Sequence, residues 1–454
     1  MMNQDKNGTM MFYLLPFFLF LTITSVQQVF AQEKTCVTGN CHSSMGQDKV
    51  VHRPVKDGCM ACHQAIQEPA ERKTKHPGNL TISLVRQGEN LCAMCHKPMN
   101  TKKVVHGPIS GGGCVACHNP HQSPNKAMLK EIIPKLCFRC HPDSMMKQQV
   151  MHPPVVPGDC SSCHENHQSD NPGLLKQEGN SHCLSCHTKM RDSMMTKKTV
   201  HASVQRSCTQ CHRSHGSPNK SLLTATVPAL CSSCHPNETA LAEKAVTKHG
   251  PMSDAKSCMN CHDPHFSDFP KLLPSAQTAL CVGCHNKEMD TESGKLKDLK
   301  AFLEANKGGQ GPLKGKACVT CHNPHGSDYW RLLVKYYAPT FYTPYSNGNY
   351  ALCFSCHAKE AFTERKTEQA TNFRNKSKNL HFRHVNNNSK GRTCRACHEV
   401  CAECQSTGRP NHVKESVGFS TWSMPMNYSP GKDGATCAPG CHGEKQYSRQ
   451  KTTR

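Results

Sequence analysis

Tryptophan occurs only twice in 454 residues, aromatic residues make up 6% and hydrophobic residues 36%. So little apolar bulk excludes a large close-packed side-chain core, and with it an ordinary globular enzyme. Acidic residues are few beside basic ones, 33 against 55, which leaves a formal charge of +22. Long hydrophobic runs are missing after residue 31, which excludes a bundle of membrane-spanning helices. No sustained apolar heptad is present, which excludes a coiled coil. Glycine and proline, 30 and 29, are too few for a low-complexity disordered chain. What abounds is cysteine, 32 residues, and histidine, 30, together 62 of 454 or about one in seven. Disulfides, metals or covalent cofactors are left to hold such a chain together.

Residues 1–31 read as a secretory signal. Lys6 precedes an apolar stretch from Met11 to Thr22, and Val29-Phe30-Ala31 has the small-residue pattern of a cleavage site. The stretch is about 12 residues, too short for the rival reading of a membrane anchor. The mature chain is expected to start near Gln32, outside the cytoplasm, with no transmembrane segment.

Cysteine-rich exported chains usually carry disulfides, but the spacing here argues otherwise. Thirteen pairs have two intervening residues and a histidine directly after: Cys59-Cys62-His63, Cys92-Cys95-His96, Cys114-Cys117-His118, Cys137-Cys140-His141, Cys160-Cys163-His164, Cys183-Cys186-His187, Cys208-Cys211-His212, Cys231-Cys234-His235, Cys258-Cys261-His262, Cys281-Cys284-His285, Cys318-Cys321-His322, Cys353-Cys356-His357 and Cys394-Cys397-His398. Cys36-Cys41-His42 and Cys437-Cys441-His442 are expanded versions, with four and three intervening residues, and read either as the same motif or as disulfides. CxxCH is the attachment signature of c-type haem. Two thiols add to the porphyrin vinyl groups, and the adjacent histidine lies under the iron as proximal ligand. Zinc needs two cysteine pairs to converge and no histidine beside the second. Fifteen of sixteen pairs ending in histidine therefore point to about 15 haems.

Subtracting fifteen proximal histidines from 30 leaves fifteen: His52, His76, His106, His121, His152, His167, His182, His201, His215, His249, His265, His325, His381, His384 and His412. That is one per haem, the number that complete bis-histidine ligation needs. Such iron has no open position and carries electrons. Position supports the count. Histidines 121, 167, 215, 265 and 325 lie three residues after a motif histidine, and 52, 106, 152, 201, 249 and 384 lie seven to ten before a first cysteine. His76, His182, His381 and His412 are less regular candidates.

An internal repeat of about 50 residues begins at His106, His152, His201 and His249. Each unit runs His, spacer, CxxCH, two residues, His, a serine-containing turn, Leu-Leu, then a second CxxCH. The two motifs start 23 residues apart in these four units and 35 apart in a fifth, from Cys318 to Cys353. Segments such as GGGCVACHNPHQS and KACVTCHNPHGS resemble the doubled-CxxCH group of multihaem c-type cytochromes across roughly residues 100 to 360. The end of the chain, GRTCRACHEVCAEC through CAPGCH, is similar to the C-terminal segments of such cytochromes. The resemblance implies electron transfer in the bacterial periplasm, at the outer membrane or outside the cell. Redox proteins would be the partners, among them an outer-membrane porin or other cytochromes.

Three departures stand out. Gln310-Gly311-Pro312 aligns with His106-Gly-Pro and His249-Gly-Pro, so the fifth unit has lost its upstream histidine. Either His182, His381 or His384 fills in, or one haem has a weak or open distal side. Cys401 takes the place three after a motif histidine, so Cys401 and Cys404 read as a disulfide or as a sixteenth haem site without its histidine. Six of nine tyrosines lie between Tyr329 and Tyr350, with Trp330 and Phe341, as a local core or a docking surface.

These readings define the expected architecture. The fold is mainly α with extensive irregular coil and little or no β-sheet, organised by haem, with short helices such as 295–306. Residues 32–100 form an N-terminal three-haem segment, 101–375 the ten-haem repeat array, and 376–454 a two-haem segment with the extra cysteine pair. About 30 propionates turn +22 into about −8 when reduced and about +7 when oxidised, so the basic excess offsets cofactor charge and does not signal nucleic acid. The leading expectation is an electron conduit, not an enzyme. A multihaem reductase with one open haem and a subunit of a conductive filament are the alternatives.

Overall fold

The computed structural model describes residues 36, 41–76, 78–291, 294–305, 317–398, 413–419 and 421–450. The segment expected to be a secretory signal, Gln310, Cys401, Cys404 and His412 lie outside the described residues. Backbone contacts divide the chain into two units, Met1–His182 and Cys183–Arg454.

The same local device recurs in both units. The CxxCH cysteines sit on single helical turns, such as Cys114–Cys117 in the first unit and Cys208–Gln210 in the second. The amide of the motif histidine donates to the carbonyl of the first cysteine, at 3.1 Å for His118 to Cys114 and 3.0 Å for His212 to Cys208. That i to i+4 bond, with the second cysteine at i+3, gathers two thiols and one imidazole on one face of the turn. Longer helices are few. Thr188–Thr196 and Pro236–Lys244 have nine residues each, and Leu299–Ala305 falls inside the stretch expected to be helical.

The expectation of a mainly α chain with little or no sheet is overturned. Helix accounts for 34% of the structure, mostly in short pieces, and strand for 18%, in nine small sheets. In the first unit Val50–Val51 pairs with Gln122–Ser123, Val104–Val105 with Gln168–Ser169, and His63–Gln67 with Leu80–Leu84, all antiparallel. In the second, Thr199–Val200 pairs with Phe266–Ser267, and Thr247 bridges Ser327. Strands of two residues carry no readable alternation, and their partners lie a repeat away, so local periodicity could not reveal them. The carboxyl-terminal part adds Tyr342–Thr343 against Gly391–Arg392, the hairpin Ser416–Phe419 with Trp422–Pro425, and a three-stranded sheet of Tyr428–Pro430, Gly434–Cys437 and Lys445–Ser448.

Among the described residues every buried hydrophobic side chain lies at or after Ala245. They concentrate in the aromatic segment and beyond: Leu333, Tyr337, Tyr350, Val385, Met424, Met426 and Tyr447. The aromatic segment is therefore partly a local core, with Tyr350 1% exposed, while Tyr336 and Tyr342 face outward. The turn serines of the repeats, Ser123, Ser169, Ser217, Ser267 and Ser327, are buried, at 0–6% exposure. Side-chain packing thus leaves the repeats without a core of their own. No helix among the described residues is long and apolar enough to cross a membrane.

Candidate functional site

The two-residue ladders place the spacer histidines. His52 follows Val50–Val51, and its amide donates 2.9 Å to the carbonyl of His121, just before Gln122–Ser123. His106 does the same with His167, and His201 with His265, each at 2.9 Å. The histidine upstream of one repeat is thereby held beside the histidine from the +3 position of the next. The ring Nδ1 of each upstream histidine reaches a carbonyl just before its neighbour: His52 to Pro120 at 2.9 Å, His106 to Asn166 at 3.0 Å, His201 to Pro264 at 3.0 Å and His249 to Pro324 at 2.9 Å.

The rings of these histidines lie opposite motif histidines. Upstream histidines face the second motif of their own repeat: His52 and His96 have ring centroids 5.9 Å apart, His106 and His141 6.0 Å, His201 and His235 6.2 Å, His249 and His285 6.2 Å. The +3 histidines face the first motif of the preceding repeat: His63 and His121 at 6.1 Å, His118 and His167 at 6.0 Å, His212 and His265 at 6.0 Å, His262 and His325 at 6.1 Å. The pairing is therefore crossed, and each ladder delivers both partners of one doubled motif.

The residues fit haem c. An iron between two imidazoles, with each nitrogen about 2 Å from the metal and about 1 Å from its ring centre, separates the centroids by about 6 Å. Direct ring stacking needs no such uniform spacing, and no tethering thiols beside it. Among the described residues ten such pairs lie between 5.9 and 6.5 Å, each with a CxxCH-type turn on one side.

The serine turn after each first motif orients the motif imidazole. Ser217 is buried and donates to the Leu223 carbonyl at 2.5 Å. Its loop carries Ser221 and Leu222 at positive φ, +55° and +59°, a conformation that costs a non-glycine residue about 1–2 kcal/mol. This turns the Ser221 carbonyl onto Nδ1 of His212 at 2.9 Å. The same contact joins His118 to Ala127, His164 to Gly173, His262 to Lys271 and His322 to Arg331, at 2.7 to 2.9 Å. An Nδ1–H donated to a carbonyl fixes the tautomer with a bare Nε2, the form that binds a metal. The sequence showed this turn as a serine and a Leu-Leu pair, without revealing its task.

Burial lowers the proton affinity of the +3 histidines 121, 167, 265 and 325. His381 is pushed down to about 3, first by burial, then by His398, His384 and His357 nearby. The shift favours the neutral imidazole that iron ligation requires.

At the carboxyl end one short helix, Leu380–Val385, carries His381 and His384 on one face at i and i+3. His381 faces His398 at 6.2 Å, and His384 faces His442 at 6.5 Å. The irregular candidate His381 and the expanded-motif histidine His442 thus both enter pairs. His76 sits on the His76–Leu80 bridge and His182 in the helix Gly179–Leu184. Among the described residues no histidine ring is paired with His42, His76, His322 or His357 at these separations.

The cysteine turns follow one another in sequence order. In the first unit Cys92 lies beside Cys114, and Cys137 beside Cys160, where burial and that neighbour push the Cys137 thiol up to about 11. In the second unit Cys183 adjoins Cys208, Cys211 adjoins Cys234, Cys231 adjoins Cys258 and Cys261 adjoins Cys284. The series continues through Cys281 and Cys318, Cys321 and Cys356, Cys353 and Cys394, to Cys397 and Cys437. First cysteines meet between repeats, and second cysteines meet within them. None of these thiols is in a disulfide.

Crossed imidazole pairs over tandem CxxCH turns define a covalent multihaem protein. The chain matches the doubled CXXCH motif family at residues 52–101, 106–146, 152–192, 201–240, 249–290 and 311–362, more than half its length, and belongs to that family of multihaem c-type cytochromes. The first match adds a repeat whose motifs start 33 residues apart, from Cys59 to Cys92. The hairpin His63–Gln67 with Leu80–Leu84 occupies that longer spacing. No curated protein matches the chain.

Proposed function

We propose that the protein carries electrons along about 15 covalently attached haems, most of them bis-histidine ligated. The thirty motif cysteines tether, the fifteen motif histidines ligate on the proximal side, and the spacer histidines ligate on the distal side. The observation that carries this reading is the set of ten imidazole pairs 5.9 to 6.5 Å apart, each beside a cysteine turn. Iron held on both axial sides by protein changes oxidation state without binding substrate. The succession of adjoining cysteine turns supports haem-to-haem transfer within each unit.

Export is supported by the basic and apolar amino-terminal sequence, and haem attachment suits a compartment outside the cytoplasm. The protein would work in the bacterial periplasm, at the outer membrane or outside the cell. It would pass electrons between periplasmic donors and an outer-membrane or extracellular acceptor, with redox proteins as partners. A pyridine haemochromogen assay on the purified holoprotein tests the reading. About 15 haems per chain, with mostly low-spin spectra, are expected. A value near eight, or a spectrum dominated by high-spin iron, overturns it.

A further inference from the structure

The tripeptide that follows some first motifs serves two iron sites at once. In Asp263-Pro264-His265 the Pro264 carbonyl lies 3.0 Å from Nδ1 of His201, whose ring faces His235. His265 itself faces His212. Asn119-Pro120-His121 and Asn323-Pro324-His325 are built the same way, with the Pro120 and Pro324 carbonyls on Nδ1 of His52 and His249. The first residue caps the third in all three. Its Oδ1 accepts from the amide of the +3 histidine, at 3.1 Å for Asn119, 3.1 Å for Asn323 and 2.9 Å for Asp263.

Three tripeptides thus share one framework and differ in one charge. Asparagine is neutral, whereas aspartate brings a carboxylate. Asp263 Oδ1 lies 3.8 Å from Nδ1 of His265. That is too long for a hydrogen bond and near enough for the carboxylate field to act on the ring. Burial lowers the proton affinity of His265, and Asp263 acts against it. The first unit carries a second carboxylate at this place, Glu165 two residues before His167. Burial and then His118 and His106 lower the proton affinity of His167, and Glu165 opposes them.

Asp263 directly follows the motif histidine His262 in sequence. Its carboxylate nevertheless lies beside the distal ligand of another iron, the one over His212. The crossed pairing therefore sends the charge one repeat back. A carboxylate next to the outer nitrogen of a ligating imidazole makes that imidazole a stronger donor. It also favours the more positive ferric state over the ferrous one. We propose that Asp263 is a positioning residue that acts through His265 to lower the reduction potential of the iron held between His212 and His265. Asn119 and Asn323 leave the corresponding irons, over His63 and His262, without that charge. The proposal rests on the haem reading above and adds a residue that sets a potential.

The test is spectropotentiometry of the holoprotein in the α band, with haem counted in the same sample. Asp263→Asn keeps an oxygen for the His265 amide and removes only the charge. It is expected to move about one haem's worth of absorbance to higher potential. The ferrous-to-ferric ratio of that haem should rise about fivefold at a fixed applied potential, as for one charge partly screened by solvent. For a one-electron couple that is about 40 mV. Asn323→Asp should move one haem's worth the opposite way, at the iron between His262 and His325. In the background Cys208→Ser with Cys211→Ser, which lacks the haem on His212, Asp263→Asn should move nothing. An unmoved potential in Asp263→Asn, a shift of the opposite sign, or a shift that persists in that background overturns the proposal. A full haem count with unmoved potentials would sink this proposal and leave the electron-transfer reading standing. A low haem count in the unaltered protein would sink the latter.

Discussion

Ser217 has no surface exposure, and its hydroxyl satisfies the Leu223 carbonyl in a loop that holds two residues at positive φ. Ser217→Ala removes one of two side-chain donors to that carbonyl and leaves Asn219, 3.1 Å away. The expected cost is about 1–2 kcal/mol, read from the denaturation midpoint of the holoprotein. The Ser221 carbonyl should then orient His212 less firmly, which would appear as a broadened low-spin signal. At the +3 histidines the effect of substitution should be displaced along the chain. His265→Ala should turn the iron over His212 high-spin and leave the one over His262, three residues away in sequence, low-spin. Resonance Raman spin-state markers on single-repeat isotope-edited or variant pairs would show which iron changed, and a change at His262 would refute the crossed pairing.

Among the elements, the helix Leu380–Val385 carries the most per residue, because one turn presents partners to both His398 and His442. Its N-cap Asn379 is buried, and its side chain accepts from the Phe382 amide at 3.1 Å. Phe382→Pro deletes that donor and strains the turn by about 3 kcal/mol. Two irons should lose low-spin character together, measured by electron paramagnetic resonance, whereas loss of only one would contradict a shared helix. Gly391 packs under the same helix end. An added Cβ there would clash with the Val385 and Thr343 carbonyls. Gly391→Ala is therefore expected to destabilise the carboxyl-terminal part by about 1–3 kcal/mol, by thermal melting followed in the Soret band. The sequence disclosed none of this element's double role. It offered His384 by spacing and left His381 irregular, because an i, i+3 relation matters only once a helix is known to be there. The cysteine turns were legible for the opposite reason. Their geometry is fixed by five consecutive residues, so spacing alone carries it.

For the whole molecule, the near absence of buried hydrophobics before Ala245 means that side chains do not hold the repeats together. Haem faces, thioether bonds and crossed ligands must do so, and the chain without cofactor should not fold. Crossing also links neighbouring repeats mechanically. Cys258→Ser with Cys261→Ser removes the attachment of one haem, the one that would join His262 to His325. Faster amide exchange is expected in both 249–290 and 311–362, and protection retained in the second stretch would show that the repeats are independent. The surface charge follows the cofactors as well. With +22 from the chain against about 30 propionates, reduction should carry the protein from about +7 to about −8. Electrophoretic mobility of the two forms should differ in sign at neutral pH.

By itself the sequence determined the class of cofactor and the repeat, because CxxCH is a pattern among near neighbours that the chain carries in tandem. It also showed one spacer histidine for each motif histidine, since their number is a matter of counting. Which histidine meets which motif was decided only by tertiary structure. The partners lie a repeat apart and are joined by ladders of two residues, too short to have a period and too distant to have a local signal. The same physical reason explains the misjudged sheet content.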